Sequence, residues 1–160
     1  MMTNRLDEAA TYLLDAAAYL SQNATNEHTL TAVERKPMYL RILNDLGEGM
    51  LHKGSVPEAF ELFQRVHQGL GDSSQPGDPQ PAQVSLKLNM GRALTKLGNF
   101  SKAQELLEEA ILGYTDWWGR RHPETIRAID GLAWALMESC TDRQMREGDI
   151  DVGSRSTACR

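Results

Sequence analysis

Two cysteines, Cys140 and Cys159, are all that the 160 residues contain, and they lie near the end and outside CxxC spacing. A disulfide framework is therefore excluded as the organising device, and both are read as thiols. No run of 18 uncharged apolar residues occurs, so the chain offers no membrane-spanning helix. A secretory leader is likewise not indicated, because Arg5, Asp7, Glu8 and Asp15 interrupt the opening apolar stretch. These absences together point to a cytoplasmic protein that does not engage a membrane. The formal charge is -5, with both signs interspersed, which leaves no dense cationic surface to neutralise a phosphate backbone and argues against a nucleic-acid partner.

Catalytic signatures are missing as well. His28, His52 and His67 have no partner at HExxH spacing, so no metal site is expected. The run HKGS at His52 lacks the upstream glycine of a phosphate loop, and no Ser, His and Asp or Cys and His set sits in a nucleophile motif. The expectation is a protein that is not an enzyme and takes no cofactor. Alternation with period two, the mark of a half-buried strand, is nowhere present.

What the chain does have is internal repetition. At an offset of 44, Leu46-Gly47 falls on Met90-Gly91, Gly54 on Gly98, Ala59 on Ala103, and Leu62-Phe63 on Leu106-Leu107. At a further offset of 42, Met90-Gly91 falls on Leu132-Ala133 and Ala93-Leu94 on Ala135-Leu136. In the other direction, Leu6, Ala9, Tyr12, Leu13 and Ala16 precede Phe100, Ala103, Leu106, Leu107 and Ala110 by 94 residues. The chain thus opens on the second half of a unit and closes on the first half of another.

Each half has steps of three and four between its apolar residues, as in Leu6, Ala9, Leu13, Ala16 or Ala59, Phe63, Val66, Leu70. Pro37, Pro57, Pro81 and Pro123 suit helix starts, Gly54 and Gly98 suit helix ends, and Ser55 and Ser101 are candidate caps. The spacing predicts six helices at about 4–21, 37–52, 56–70, 81–97, 100–116 and 123–138. The polar stretch Gln22 to Lys36 and the run GDSSQPGDPQ from Gly71 read as linkers, and 141–160 reads as a disordered tail.

The segments LNDLGEGMLHKGSVPEAFELFQRV and LNMGRALTKLGNFSKAQELLEEA resemble tetratricopeptide repeats in their alternation of small and large residues. The period of 42 to 44, with Gly119, His122, Pro123 and Thr125 in a Gly-x-x-His-Pro-x-Thr linker, is similar to the longer-period variant of kinesin light chains. The resemblance implies an all-α, right-handed α-solenoid of antiparallel helix pairs over residues 1–140. It would comprise a half repeat at 4–21, full repeats at 37–70 and 81–116, and a half repeat at 123–138.

It also implies protein or peptide binding along a concave wall of first helices. On that mapping the groove positions are Arg41, Asn44, Asp45, Glu48 and His52, then Ser85, Leu88, Asn89, Arg92 and Lys96, then Arg127, Asp130, Trp134 and Glu138. Part of the family grips carboxylate tails with five Lys, Asn and Arg side chains. Here Asn89 and Arg127 match, whereas Asn44, Glu48 and Gly131 hold the other places, and Glu48 would repel such a tail.

Trp117 and Trp118 are neighbours about 100° apart on a helix, so one is expected to pack between repeats and the other to lie in a surface groove. Together with Leu136 they are candidate interface residues. His122 is read as a loop-shaping and capping residue. The helix from 123 presents Ile126, Ile129, Leu132, Trp134, Leu136 and Met137 with no following helix of comparable apolarity, so a homo-oligomer through the uncapped ends is one expectation. The function class expected is an interaction scaffold or adaptor. The alternatives are a self-assembling repeat segment of a larger signalling regulator and, third, a small helical enzyme or ligand-binding domain.

Overall fold

Apolar residues at steps of three and four give each helix one sticky stripe, and short turns force consecutive stripes to face each other. In the computed structural model, which describes residues 2–22, 32–71 and 81–155, this yields α1 (Met2–Gln22), α2 (Ala32–Lys53), α3 (Val56–Leu70), α4 (Pro81–Lys96), α5 (Phe100–Trp118) and α6 (Pro123–Arg155). No strand occurs among the described residues. Each helix packs on the next in sequence. In addition α2 lies against α4 and α4 against α6, whereas among the described residues the backbones of α1, α3 and α5 do not come close to one another. The stack therefore curves with α2, α4 and α6 on its inner side.

The two hairpins turn identically. At the end of α2 the Ser55 amide donates to the Met50 carbonyl at 3.0 Å and the Gly54 amide to Leu51 at 3.3 Å. At the end of α4 the Asn99 amide donates to Leu94 at 2.9 Å and the Gly98 amide to Thr95 at 3.1 Å. These paired bonds close a Schellman motif, and they need the positive φ of 90° at Gly54 and 76° at Gly98. The capping residues differ in part from the sequence expectation. Ser55 is the N-cap of α3, but Asn99, not Ser101, is the N-cap of α5, and neither side chain bonds to the helix. The Schellman turn already orders the entry, so the cap side chain is not required to.

Small residues set how closely the pairs approach. A Cβ added to Gly47 would lie 2.5 Å from the Phe63 ring, and one added to Gly91 would lie 2.6 Å from Leu107. Ala59 and Ala103, the small residues on the facing helices, are fully buried, as are Phe63 and Leu107. Burying a phenylalanine or leucine contributes about 1.5–3 kcal/mol, which only this close approach secures in full. One core joins α2, α3 and α4 around Leu43, Phe63 and Leu86, and a second joins α4, α5 and α6 around Leu88, Leu107 and Ala135.

Two boundaries depart from the pattern. α2 starts at Ala32, so Pro37 lies inside the helix instead of at its start. Its ring costs one backbone hydrogen bond there, near enough to the first turn that the helix continues. α6 does not end at 138 but runs to Arg155, so the stretch expected as a disordered tail is helical as far as it is described. That stretch carries Arg143, Gln144, Met145, Arg146 and Glu147 with no proline, residues that favour helix without any apolar stripe to announce it. The linker readings at 23–31 and 72–80, the tail end 156–160 and Cys159 lie outside the described residues.

Candidate functional site

Residues on the inner faces of α2, α4 and α6 come together because α4 lies between the other two and against both. Their polar side chains form a ladder across the wall. Asn44 donates from Nδ2 to Ser85 Oγ at 3.3 Å, and Asn89 donates from Nδ2 to Asn44 Oδ1 at 3.2 Å. Asn44 is 7% and Asn89 2% exposed, so these two expected groove contacts are turned into the seam between α2 and α4. Leu88 is buried as well and belongs to the core. A side chain that close to another helix satisfies its hydrogen bonds inside the fold instead of presenting them to a ligand.

Glu48 is the meeting point of the wall. Its Oε1 accepts from Arg92 of α4 at 3.5 Å and from Arg127 Nη2 of α6, and lies 3.6 Å from His52. Arg127 also reaches Glu124 at 3.0 Å. Burial pulls the Arg127 guanidinium down, but Glu48 and Glu124 together hold it above its ordinary value. Further along, the ammonium of Lys96 sits 4.9 Å over the Trp134 ring, whose Nε1 donates to Glu138 at 3.0 Å. Arg41 and Asp45 stand on the exposed side of α2. Burial raises the Asp45 carboxyl above its free value, with Glu48 adding to the rise and Arg41 opposing it.

Beside Arg41 and Asp45 the wall opens into a cleft of about 500 Å³. Leu40 and Leu70 form its apolar floor, Ser85 and Arg127 its polar edge, and Trp118 and Tyr114 its aromatic side. Trp118 stacks on Tyr114 at 5.4 Å and meets the His122 ring in a tilted contact at 4.4 Å, which holds the indole against the cleft. Tyr114 is buried, and burial raises its phenol while a hydrogen bond with Ser85 opposes that rise. Trp117 instead packs on the core of α4, α5 and α6. The two tryptophans thus divide between core and surface, with Trp118 46% exposed.

The linker before α6 has a defined mechanism. Gly119 adopts φ 79°, His122 accepts the Glu124 amide on Nδ1 at 3.3 Å, and Thr125 donates to the Gly119 carbonyl at 3.0 Å while fully buried. His122 is therefore the cap of α6 and Thr125 the latch of the turn. Among the described residues no group of three or more His, Cys, Asp or Glu is placed to hold a metal ion, and no helix is long and apolar enough to cross a membrane. Leu136 lies 46% exposed on the outer side of α6, away from the groove, where Ile126, Ile129 and Met137 are also exposed. Cys140 is an exposed free thiol.

Antiparallel helix pairs, glycines at the pressed positions and an inner wall of first helices define a tetratricopeptide-type solenoid. Residues 85–124 match the tetratricopeptide repeat family. Two solved structures of the nearly identical TPR-like repeats assigned to a kinesin light chain of Podosopora anserina have the same fold. The first is 21% identical with a TM-score of 0.57, covering 95% of this chain and 67% of that one. The second is 19% identical with a TM-score of 0.55, covering 98% and 71%. No curated protein sequence matches the chain. Residues 85–124 thus resemble a tetratricopeptide repeat, and the chain as a whole shares the fold of those kinesin light chain-like repeats.

Proposed function

We propose that the chain is a protein-interaction module that holds an extended peptide or a helix of a partner along the wall of α2, α4 and α6. The observation that carries this reading is the cleft of about 500 Å³ beside Arg41 and Trp118, continuous with the wall. Its exposed indole, fixed by Tyr114 and His122, offers an apolar anchor of the type enriched at interface hot spots. Arg41, Asp45 and Arg127 around it supply hydrogen bonds that can set the register of a bound backbone. Tetratricopeptide repeats generally mediate protein–protein interaction, which favours a protein partner over a small metabolite. The mixed sign of the wall, with Glu48 at its centre, disfavours a bare acidic tail as the ligand.

A random peptide display selected on the full chain tests the reading, followed by calorimetry on the winning sequences. Selected peptides should lose at least about tenfold in affinity on Trp118→Ala and on Arg41→Glu, a loss of about 1.4 kcal/mol each. Peptides that bind both variants as well as the wild type would place recognition elsewhere on the molecule.

A further inference from the structure

Four charged side chains border the cleft: Arg41 and Asp45 from α2, Glu124 and Arg127 from α6. The α6 pair is already spent. Arg127 Nη1 donates to the two Glu124 oxygens at 3.2 and 3.0 Å, and its Nη2 turns to Glu48. Glu48 in turn takes Arg92 at 3.5 Å, so two carboxylates meet two guanidiniums and the charge on that side is closed. The helices α3, α4 and α5 contribute no charged residue to the lining.

Asp45 is in a different position. Among the described residues its carboxylate accepts no hydrogen bond and has no cation within ion-pair distance, although burial already raises its proton affinity. Arg41, one turn earlier on the same helix, acts on it only at longer range. A carboxylate partly withdrawn from water and lacking donors is stabilised by whatever brings them.

Most of the remaining lining is apolar or aromatic, with Leu40, Val66, Leu70, Tyr114 and Trp118. A side chain that suits it needs an apolar stem and a cationic head. Arginine has both: methylenes that pack on apolar surface, a planar fork that matches a carboxylate with two parallel hydrogen bonds, and attraction to aromatic rings. Lysine shares the stem but brings a more strongly hydrated point charge. An acidic side chain would meet the carboxylates of Asp45 and Glu124, and a purely apolar one would leave Asp45 without a donor. The net charge of -5 draws a cationic segment toward the chain. Arg41 opposes a cation in sign, but it is exposed on a long stem and can swing to the rim, where it donates to a main-chain carbonyl. The cleft, at about 500 Å³, has room for a long side chain and the backbone beside it.

We infer that the cleft is an arginine-selective subsite, in which a partner's arginine lays its stem on Leu40 and Leu70 beside Trp118 and forks onto Asp45. The inference rests on the reading of the wall as a peptide-binding groove. It adds which residue of the partner is held and by which group.

Peptides selected by display on the full chain, measured by calorimetry, test it. They should share an arginine whose replacement by alanine lowers affinity at least about tenfold, and replacement by lysine should lower it as well. Asp45→Asn should weaken the arginine peptide at least about tenfold and leave the alanine peptide nearly unchanged, the coupling expected of a direct contact. A melting curve of Asp45→Asn at the same pH checks that the fold is kept. Peptides that need Trp118 but share no arginine would overturn the inference and leave the groove reading in place. So would an arginine uncoupled from Asp45, or one that lysine replaces without loss. Peptides indifferent to Trp118→Ala would bring down the groove reading and this inference with it.

Discussion

Asn89 of α4 donates to Asn44 of α2 at 3.2 Å in the buried seam between two neighbouring repeats, and Asn44 passes the chain on to Ser85 at 3.3 Å. Polar side chains this deep stabilise only while all of them are bonded. Asn89→Ala leaves the Asn44 carbonyl without its partner and should destabilise the fold by about 1–3 kcal/mol in chemical denaturation. Replacing Asn44 and Asn89 together by alanine should cost less than the sum of the two single alanine changes, because no unpaired polar atom of the pair remains. A strictly additive double-mutant result would show that the bond carries no energy.

Two glycines two positions apart on α2 should respond in opposite directions. Gly47→Ala drives a Cβ to 2.5 Å from the Phe63 ring and should cost about 1–3 kcal/mol by overpacking. Gly49→Ala meets nothing within 4 Å and should gain about 0.5–1 kcal/mol of helix propensity. Thermal melts of the two variants decide it, and melting points shifted the same way would contradict the packing described for Gly47.

The turn before α6 rests on Thr125, whose hydroxyl donates to the Gly119 carbonyl with no exposure to water. Thr125→Val keeps the shape and removes the donor, and a loss of about 1–2 kcal/mol is expected in denaturant titration. His122→Ala, which removes the acceptor for the Glu124 amide and the ring beneath Trp118, should cost about 1 kcal/mol and change the tryptophan emission. Unchanged emission would mean that the indole does not rest on His122.

Asp45 makes the pH dependence unusual at one position. Its folded pKa lies above the free value of 3.8, chiefly through burial, so the folded chain binds the proton more readily than the unfolded one. The contribution of this residue to stability therefore falls as pH rises from 3.8 through the folded value, opposite in sign to a salt-bridged carboxylate. Asp45→Asn should remove that slope and leave the protein at least as stable at neutral pH. Melting curves between about pH 3 and pH 7 test it, and a variant that loses stability at neutral pH would show that the pairing with Arg41 outweighs burial.

The hairpins were legible in the residues because their causes are local: a glycine that must take positive φ, a small residue that a neighbour presses, a proline at a helix start. Gly54, Gly98, Gly47 and Gly91 each announce one such cause. The resemblance places Asn44 and Asn89 among the groove contacts, since they sit among polar residues on first helices. Their partnership is diagonal, 45 positions apart where the repeat is 44, so aligning the units sets Asn89 against Asp45 and hides the bond. Pro37 gives a start signal one turn inside α2, and α6 runs through Gly148 and Gly153, residues that ordinarily mark a helix end, as far as Arg155. The cleft is another non-local feature: Trp118, Arg41 and Ser85 converge there from three helices, and no single segment records the meeting.

Repeat stacks are ordinarily coupled only between nearest neighbours, which lets them fray from an end one unit at a time. Glu48 breaks that rule, since one carboxylate on α2 binds Arg92 of the next first helix and Arg127 of the one after it. With side chains between 22% and 42% exposed, the ion pairs contribute at most about 1 kcal/mol each and are weakened by salt. Their effect on cooperativity exceeds their size, because α6 cannot peel away without releasing a group on α2. At low ionic strength the described repeats should unfold as one unit, whereas in Glu48→Gln, or at high salt, α6 should open on its own and exchange its amides first.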